Sequence, residues 1–130
     1  MLLSITALSS YADNNFTDTS LLCSTKDFPV KGGFKFTSDK TLIKYNILWD
    51  HTNKTELIHK TSHCYLIIGD EIAVSVKDEE RNCGQYNSFI DIPSLVYSIP
   101  KTDNILTANC KHYAKDLEKK LSQSINILIN

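Results

Sequence analysis

Arginine is nearly absent from this chain of 130 residues: of its 14 basic residues, Arg81 is the one arginine and the others are lysines. Because arginine makes the bidentate contacts that base edges and phosphates favour, this composition argues against nucleic-acid binding. The cluster of lysines near the C-terminus alternates with Asp116 and Glu118, a pattern typical of a solvated helix face. We therefore expect no nucleic acid among the partners.

Motifs for catalysis and for cofactors are also missing. The chain contains no G-x-G-x-x-G, P-loop, EF-hand loop or G-x-S-x-G nucleophile elbow. His59 and His63 are four residues apart, which on a strand separates side chains by roughly 13 Å, too far to share a zinc ion. His63 and Cys64 are adjacent, so a strand points them to opposite faces. We expect no catalytic residue, no metal, no cofactor and a protein that is not an enzyme.

Closely spaced cysteine pairs are the third absence. The four cysteines include no C-x-x-C pair and no tight Cys/His cluster, which excludes zinc ribbons and thioredoxin-like sites. They are Cys23, Cys64, Cys83 and Cys110. We interpret them as two disulfides and expect a periplasmic or secreted protein, the alternative being four buried free thiols in the cytosol.

Long hydrophobic runs are absent as well, and none approaches the ~20 residues of a transmembrane helix, so we expect no transmembrane segment. Residues 2–8 are apolar and precede Ser10-Tyr11-Ala12, a small-x-small cleavage pattern, but no basic residue precedes them. We interpret residues 1–12 as a signal peptide without its basic start and residues 13–130 as one disulfide-stapled domain. The alternative is an ordinary N-terminal strand or short helix.

The chain does contain a series of short β-type runs, separated by turn signals roughly every 8–12 residues. The runs are 21–25, 34–37, 41–49, 55–60, 64–68, 71–77, 88–92, 95–99 and 105–111. In the run 41–49, an apolar face of Ile43, Tyr45, Ile47 and Trp49 alternates with a mixed face of Leu42, Lys44, Asn46 and Leu48. The pattern predicts a mainly β protein: a small antiparallel meander of eight to nine strands, as a barrel or a sandwich.

The order of these strands favours one of the three possible cysteine pairings. Closing a meander places the first strand beside the last, which favours a Cys23–Cys110 disulfide and leaves Cys64 to pair with Cys83. After the last strand the period changes, because Leu117 and Leu121 lie four residues apart among charged residues. We expect a C-terminal helix from about residue 113, packed on the outside of the barrel or across one mouth.

The first predicted strand contains Leu22-Cys23, the last contains Ala108-Asn109-Cys110-Lys111, and the strands between them follow in a serial meander. In these features the chain resembles small exported bacterial β-barrel proteins, including the membrane-bound or periplasmic c-type lysozyme inhibitor family. The resemblance implies a barrel fold and an exported protein. The Ser-Gly-x-x-Tyr segment of such inhibitors is not found, since Ser62-His63-Cys64-Tyr65 lacks the glycine, so no inhibitory residue is transferred.

Two loops are candidates for a binding surface. The first contains Trp49, Asp50 and His51, and its tryptophan is either a core residue or an exposed interface anchor. The second begins with Asp78, Glu79 and Glu80. A Cys64–Cys83 bridge would hold this second loop against the body of the domain, with its carboxylates facing a basic partner.

The sequence thus predicts an exported binding protein, and we expect an inhibitor or immunity-type protein whose loops bind a partner protein of unknown identity. One alternative is a lipocalin-like carrier, which needs an apolar cavity of at least ~300 Å³ inside the barrel. A second is a small hydrolase, which needs His51 or His63 to meet carboxylates in one pocket.

Overall fold

The computed structural model describes residues 16–26, 32–76, 83–101 and 103–129. Within them lie eight antiparallel strands and one helix. The strands are β1 (Ser20–Ser24), β2 (Gly32–Phe36), β3 (Thr41–Asp50), β4 (Thr55–Ile68), β5 (Glu71–Ser75), β6 (Tyr86–Asp91), β7 (Val96–Pro100) and β8 (Ile105–His112), and the helix is α1 (Leu117–Ile129). The predicted signal peptide, residues 1–12, lies outside the described residues.

Each strand pairs with its neighbours in sequence, and β8 also pairs with β1, so the sheet closes into a barrel. The predicted mainly β antiparallel meander is confirmed, and of the two architectures left open the barrel is the one formed. The predicted runs 55–60 and 64–68 are parts of one strand, β4, because residues 61–63 continue the pairing with β3. The strand count is therefore eight.

All four cysteines are paired, and the pairs are the predicted ones. Cys23 in β1 lies opposite Cys110 in β8 and is bonded to it, so this disulfide joins the two strands that close the barrel. The second disulfide joins Cys64 of β4 to Cys83, which precedes β6. The two disulfides indicate an oxidising compartment.

The base of the barrel is filled by aromatic and branched side chains. Phe36 lies 5.1 Å from Phe16 and 4.9 Å from Tyr65, measured between ring centroids, and Leu42 is buried beside them. The Tyr65 hydroxyl donates a hydrogen bond of 2.7 Å to the carbonyl oxygen of Ser38, in the turn between β2 and β3. Burial raises the pKa of Tyr65, and the nearby Asp39 carboxylate raises it further. This end of the barrel is therefore closed by the protein itself.

Helix α1 packs on the outside of the barrel, which is one of the two placements that the sequence predicts. Leu117 and Leu121 are buried there against Leu22 and Tyr45, and Ile47 lies partly buried at the edge of this outer cluster. The apolar face of β3 thus points out of the barrel, and the helix covers it as far as Ile47. The mixed face of β3, which carries Lys44, consequently faces the lumen.

The helix begins four residues later than predicted. The Asp116 carboxylate accepts a hydrogen bond of 3.1 Å from the backbone N–H of Lys119, which is the geometry of an N-cap, and α1 starts at the next residue. Residues 113–116 instead lead from β8 onto the outer surface, where Tyr113 packs against the outer cluster. An ion pair of 3.4 Å between Lys60 of β4 and Glu118 lies across the first turn of the helix.

The up-and-down course of the chain collects alternate connections at the same end of the barrel. The strand ends at Ser24 and Gly32, at Asp50 and Thr55, at Ser75 and Tyr86, and at Pro100 and Ile105 share one end, which we call the open end. The opposite end is the closed base. The β3–β4 hairpin, which carries Trp49, Asp50 and His51, therefore has its turn at the open end.

Candidate functional site

A cavity of ≈ 350 Å³ lies in the lumen toward the open end. Its lining comes from strands β1, β2, β3, β7 and β8 and from Thr25, just after β1. The side chains important for its chemistry are Phe34, Lys44, Asn46, Tyr97, Ile99 and Ala108. The wall is mostly apolar, with a few polar groups, which is the composition of small-molecule binding sites.

Lys44 and Tyr97 form the principal polar contact of this cavity. The Lys44 ammonium donates a hydrogen bond of 2.9 Å to the Tyr97 hydroxyl oxygen, and Lys44 Nζ lies 5.0 Å from the centre of the Tyr97 ring. Because β3 and β7 are not neighbours in the sheet, this bond crosses the lumen. Phe34 packs edge-on against Tyr97, with 4.9 Å between the ring centroids, and holds the tyrosine ring in place.

The predicted site residues Trp49, Asp50 and His51 lie at the tip of the β3–β4 hairpin. The Trp49 side chain is 53% exposed, which decides between the two alternatives: it is not a core residue. Its ring stands nearly perpendicular to the His51 ring at 6.3 Å between centroids. Leu48 and Leu57, a directly opposed pair on the other face of the hairpin, are exposed as well.

Asp50 has a structural role in this hairpin. Its carboxylate accepts hydrogen bonds from the backbone N–H of Thr52 at 3.0 Å and from the side-chain amide of Asn53 at 2.8 Å. The bond from the Asn53 side chain is the largest cause of the lowered pKa of Asp50. The turn continues through Lys54, which adopts a positive φ of 51°. The carboxylate is therefore committed to its own turn, while Trp49 and His51 project from it.

The acidic residues Asp78, Glu79 and Glu80 lie outside the described residues, so their role as a binding loop stays a prediction. Cys83 follows these residues in the chain, and its disulfide to Cys64 fixes residue 83 to β4. The predicted pairing of Cys64 with Cys83 is confirmed.

His59 and His63 lie on β4, so the strand geometry that argued against a shared zinc ion is confirmed. The strand pattern also predicts that both histidines lie at the surface or in turns, which is correct for His59, an exposed residue, and wrong for His63, a buried one. Its Nδ1 lies 2.9 Å from the Ser75 carbonyl oxygen, and its Nε2 lies 2.7 Å from the Thr61 hydroxyl. In the parts of the chain that the structure describes, no three His, Cys, Asp or Glu side chains are placed to hold a metal ion.

The hydrolase alternative needs catalytic side chains in one pocket. His51 is exposed in the β3–β4 turn, whereas His63 is buried in the second half of β4, and neither lines the cavity. The cavity therefore does not unite either histidine with a carboxylate.

Sequence reasoning missed the two residues that give the cavity its polar contact, Lys44 and Tyr97. The signal was present in β3, where Lys44 and Asn46 interrupt one face of an otherwise apolar run. Assigning that face to the lumen requires knowing that α1 covers the other one.

Comparisons with protein families, with curated proteins and with solved structures found no match to this chain. The resemblance to the lysozyme inhibitor family therefore stays a prediction. Among the described residues, no helix has both the length and the apolar character that a membrane crossing requires.

Proposed function

We propose that this protein is an exported carrier that binds a compact, largely apolar small molecule in the lumen of its barrel. The observation that carries this proposal is the cavity of ≈ 350 Å³ at the open end. Its volume is above ~300 Å³, the lower bound of the usual range for small-molecule pockets. It also lies at the small end of the range of roughly 300–1,000 Å³, which favours a compact ligand over a long-chain lipid.

Three features of the fold support ligand binding rather than simple structural packing. The base is closed by aromatic side chains, so ligand exchange takes place at the open end, where strands end in loops. The cavity wall is formed on paired strands, which hold side chains more rigidly than loops do. The two disulfides fit a protein that works in the periplasm or after secretion.

Phenylnaphthylamine, an uncharged dye whose fluorescence rises in apolar surroundings, provides a direct test. We expect saturable binding of one dye per chain to the wild type. Ala108→Phe places a ring in the lumen and should abolish binding, as should Thr25→Phe at the open end. Leu66→Phe is the matched control, because Leu66 is exposed and points out of the barrel near the base.

Folding of each variant is checked by far-ultraviolet circular dichroism and by the absence of free thiols. Wild-type protein that binds no dye would overturn the proposal. So would a folded Ala108→Phe or Thr25→Phe protein that binds the dye as the wild type does.

Binding of a partner protein, as an inhibitor or immunity-type protein does, is the second candidate function. The observation that favours it is the apolar tip of the β3–β4 hairpin, where Leu48, Trp49 and Leu57 are all exposed. A c-type lysozyme is the partner to test, because the exported barrel proteins that this chain resembles include inhibitors of that enzyme. If this function holds, the protein slows lysis of a cell-wall suspension by c-type lysozyme, and Trp49→Ala reduces that effect at least tenfold while leaving dye binding unchanged.

A further inference from the structure

Lys44 places a positive charge in the cavity wall, and a purely apolar ligand would make no use of that charge. Among the described residues that line it, Lys44 is the one with a formal charge, and that charge is positive. In the same described residues, the ion pair found is Lys60–Glu118 on the outer surface, and no carboxylate pairs with Lys44. A partly buried ammonium in a mostly apolar wall is unfavourable unless an anion or strong acceptors accompany it.

The geometry around Lys44 suits an anion. An ammonium has three N–H donors, and one of them is used by the Tyr97 hydroxyl at 2.9 Å. Since Tyr97 accepts this bond through its oxygen, its own O–H remains a potential donor to a group bound beside it. Lys44 and Tyr97 together therefore offer an oxyanion two donors from opposite walls of the lumen.

We propose that the small molecule bound in the lumen is an organic acid, whose carboxylate or comparable oxyanion is held by Lys44 and Tyr97 and whose apolar part fills the rest of the cavity. This inference rests on the proposed function, because it names the class of ligand for the same site.

The register of the barrel also gives the ligand a direction. The pair Ile99–Leu106 lies nearer to the open end than the pair Tyr97–Ala108 does. The acidic group therefore lies at the inner end of the cavity, beside Lys44, and the apolar part points toward the open end. In the bound position the two donors replace the hydration of the acidic group.

A pair of dyes that differ by one anionic group separates this inference from the proposed function. Anilinonaphthalene sulfonate has the ring system of phenylnaphthylamine with an added sulfonate. We expect Lys44→Met, which keeps side-chain length without the charge, to weaken binding of the sulfonate dye by about tenfold. Binding of the uncharged dye should weaken less than that of the sulfonate dye, because it loses no contact with a charge, so the measured quantity is the ratio of the two affinities.

Three further variants control for other effects. Lys44→Arg keeps the positive charge and should retain most of the preference for the sulfonate dye. Tyr97→Phe keeps the ring that packs on Phe34 but removes the hydroxyl, and it should weaken binding of the sulfonate dye a few-fold. Lys101→Met removes one positive charge from an exposed position just after β7, at the open end. It should leave the affinity for both dyes unchanged.

The outcomes are distinguishable. Selective loss of the sulfonate dye in Lys44→Met supports the acid-binding site. Equal effects of Lys44→Met on both dyes, or none on either, overturn the acid site and leave the carrier function standing. If the wild type binds neither dye, both proposals fail. Competition gives a second readout: octanoate should displace phenylnaphthylamine from the wild type at lower concentration than octanol, and Lys44→Met should remove that difference.

Discussion

Cys23 of the first strand lies directly opposite Cys110 of the last strand, and the disulfide between them closes the barrel covalently at the same seam that the backbone closes by hydrogen bonds. Cys23 also lines the lumen cavity. The seam is therefore a wall of the proposed ligand site, and its stability and the shape of the site depend on the same bond.

Removing this disulfide should destabilise the protein more than removing the other one. Cys23 and Cys110 are separated by 87 residues, whereas Cys64 and Cys83 are separated by 19. In the chain-entropy description, the longer loop contributes about 4.5 kcal/mol to the free energy of unfolding and the shorter one about 3 kcal/mol. Urea unfolding of the two double Cys→Ser variants measures both losses. Equal losses, or a larger loss at the shorter loop, would contradict the prediction.

The outer cluster should act on stability without acting on the lumen. Leu121 is fully buried between α1 and the outside of the barrel, so Leu121→Ala leaves a cavity there and should lower the free energy of unfolding by about 2–4 kcal/mol. Lys119→Ala, on the exposed side of the same helix, should change it by less than about 0.5 kcal/mol. Dye binding by folded Leu121→Ala should equal that of the wild type, and a parallel loss of binding would show that the helix shapes the cavity.

The sequence predicts the seam but not the cavity, for a physical reason. A meander must place its first and last strands together when it closes, so the positions of Cys23 and Cys110 in the strand order are sufficient to pair them. The alternation in β3 identifies two faces but not which of them is inside. Tyr45 and Ile47 belong to an apolar face of the kind that packs in a core. The core in which they pack is the outer cluster under α1, not the lumen of the barrel. The position of α1 on the outer face is therefore what assigns Lys44, on the other face, to the lumen.

A similar limit applies to the hairpin tip. Trp49 and Asp50 are adjacent in sequence and both were candidates for binding. The bonds from Thr52 and Asn53 commit the Asp50 carboxylate to its turn, and such local bonds depend on the exact path of the turn, which residue types alone do not determine. Trp49 lies on the outer face of β3 beyond Ile47, the last side chain of this face in the outer cluster, and it is exposed.

Gly33 should be required for the close approach of helix and barrel. A Cβ atom at this position would collide with the carbonyl oxygen of Leu21 and lie 3.0 Å from the Leu117 side chain. Because backbone must move to relieve the first contact, we expect Gly33→Ala to lower the free energy of unfolding by about 1–3 kcal/mol. Gly84→Ala is the matched control, since a Cβ there meets no atom within 4 Å, and should be nearly neutral. Equal stability of the two variants in urea would argue against close packing at Gly33.

Tyr45 should make the docking of α1 sensitive to alkaline pH. Burial under the helix, followed by the charges of Glu118 and Asp116, raises the pKa of Tyr45. A raised pKa favours the neutral phenol in the folded state, so this contribution to stability is complete below about pH 10 and is lost as the pH rises through the folded pKa. Tyr45→Phe should remove a late step from the tyrosinate absorbance titration and flatten the alkaline fall in stability. Glu118→Gln should move that step to lower pH, because it removes one of the two charges that oppose ionisation. A titration unchanged by both substitutions would show that Tyr45 ionises without sensing the helix.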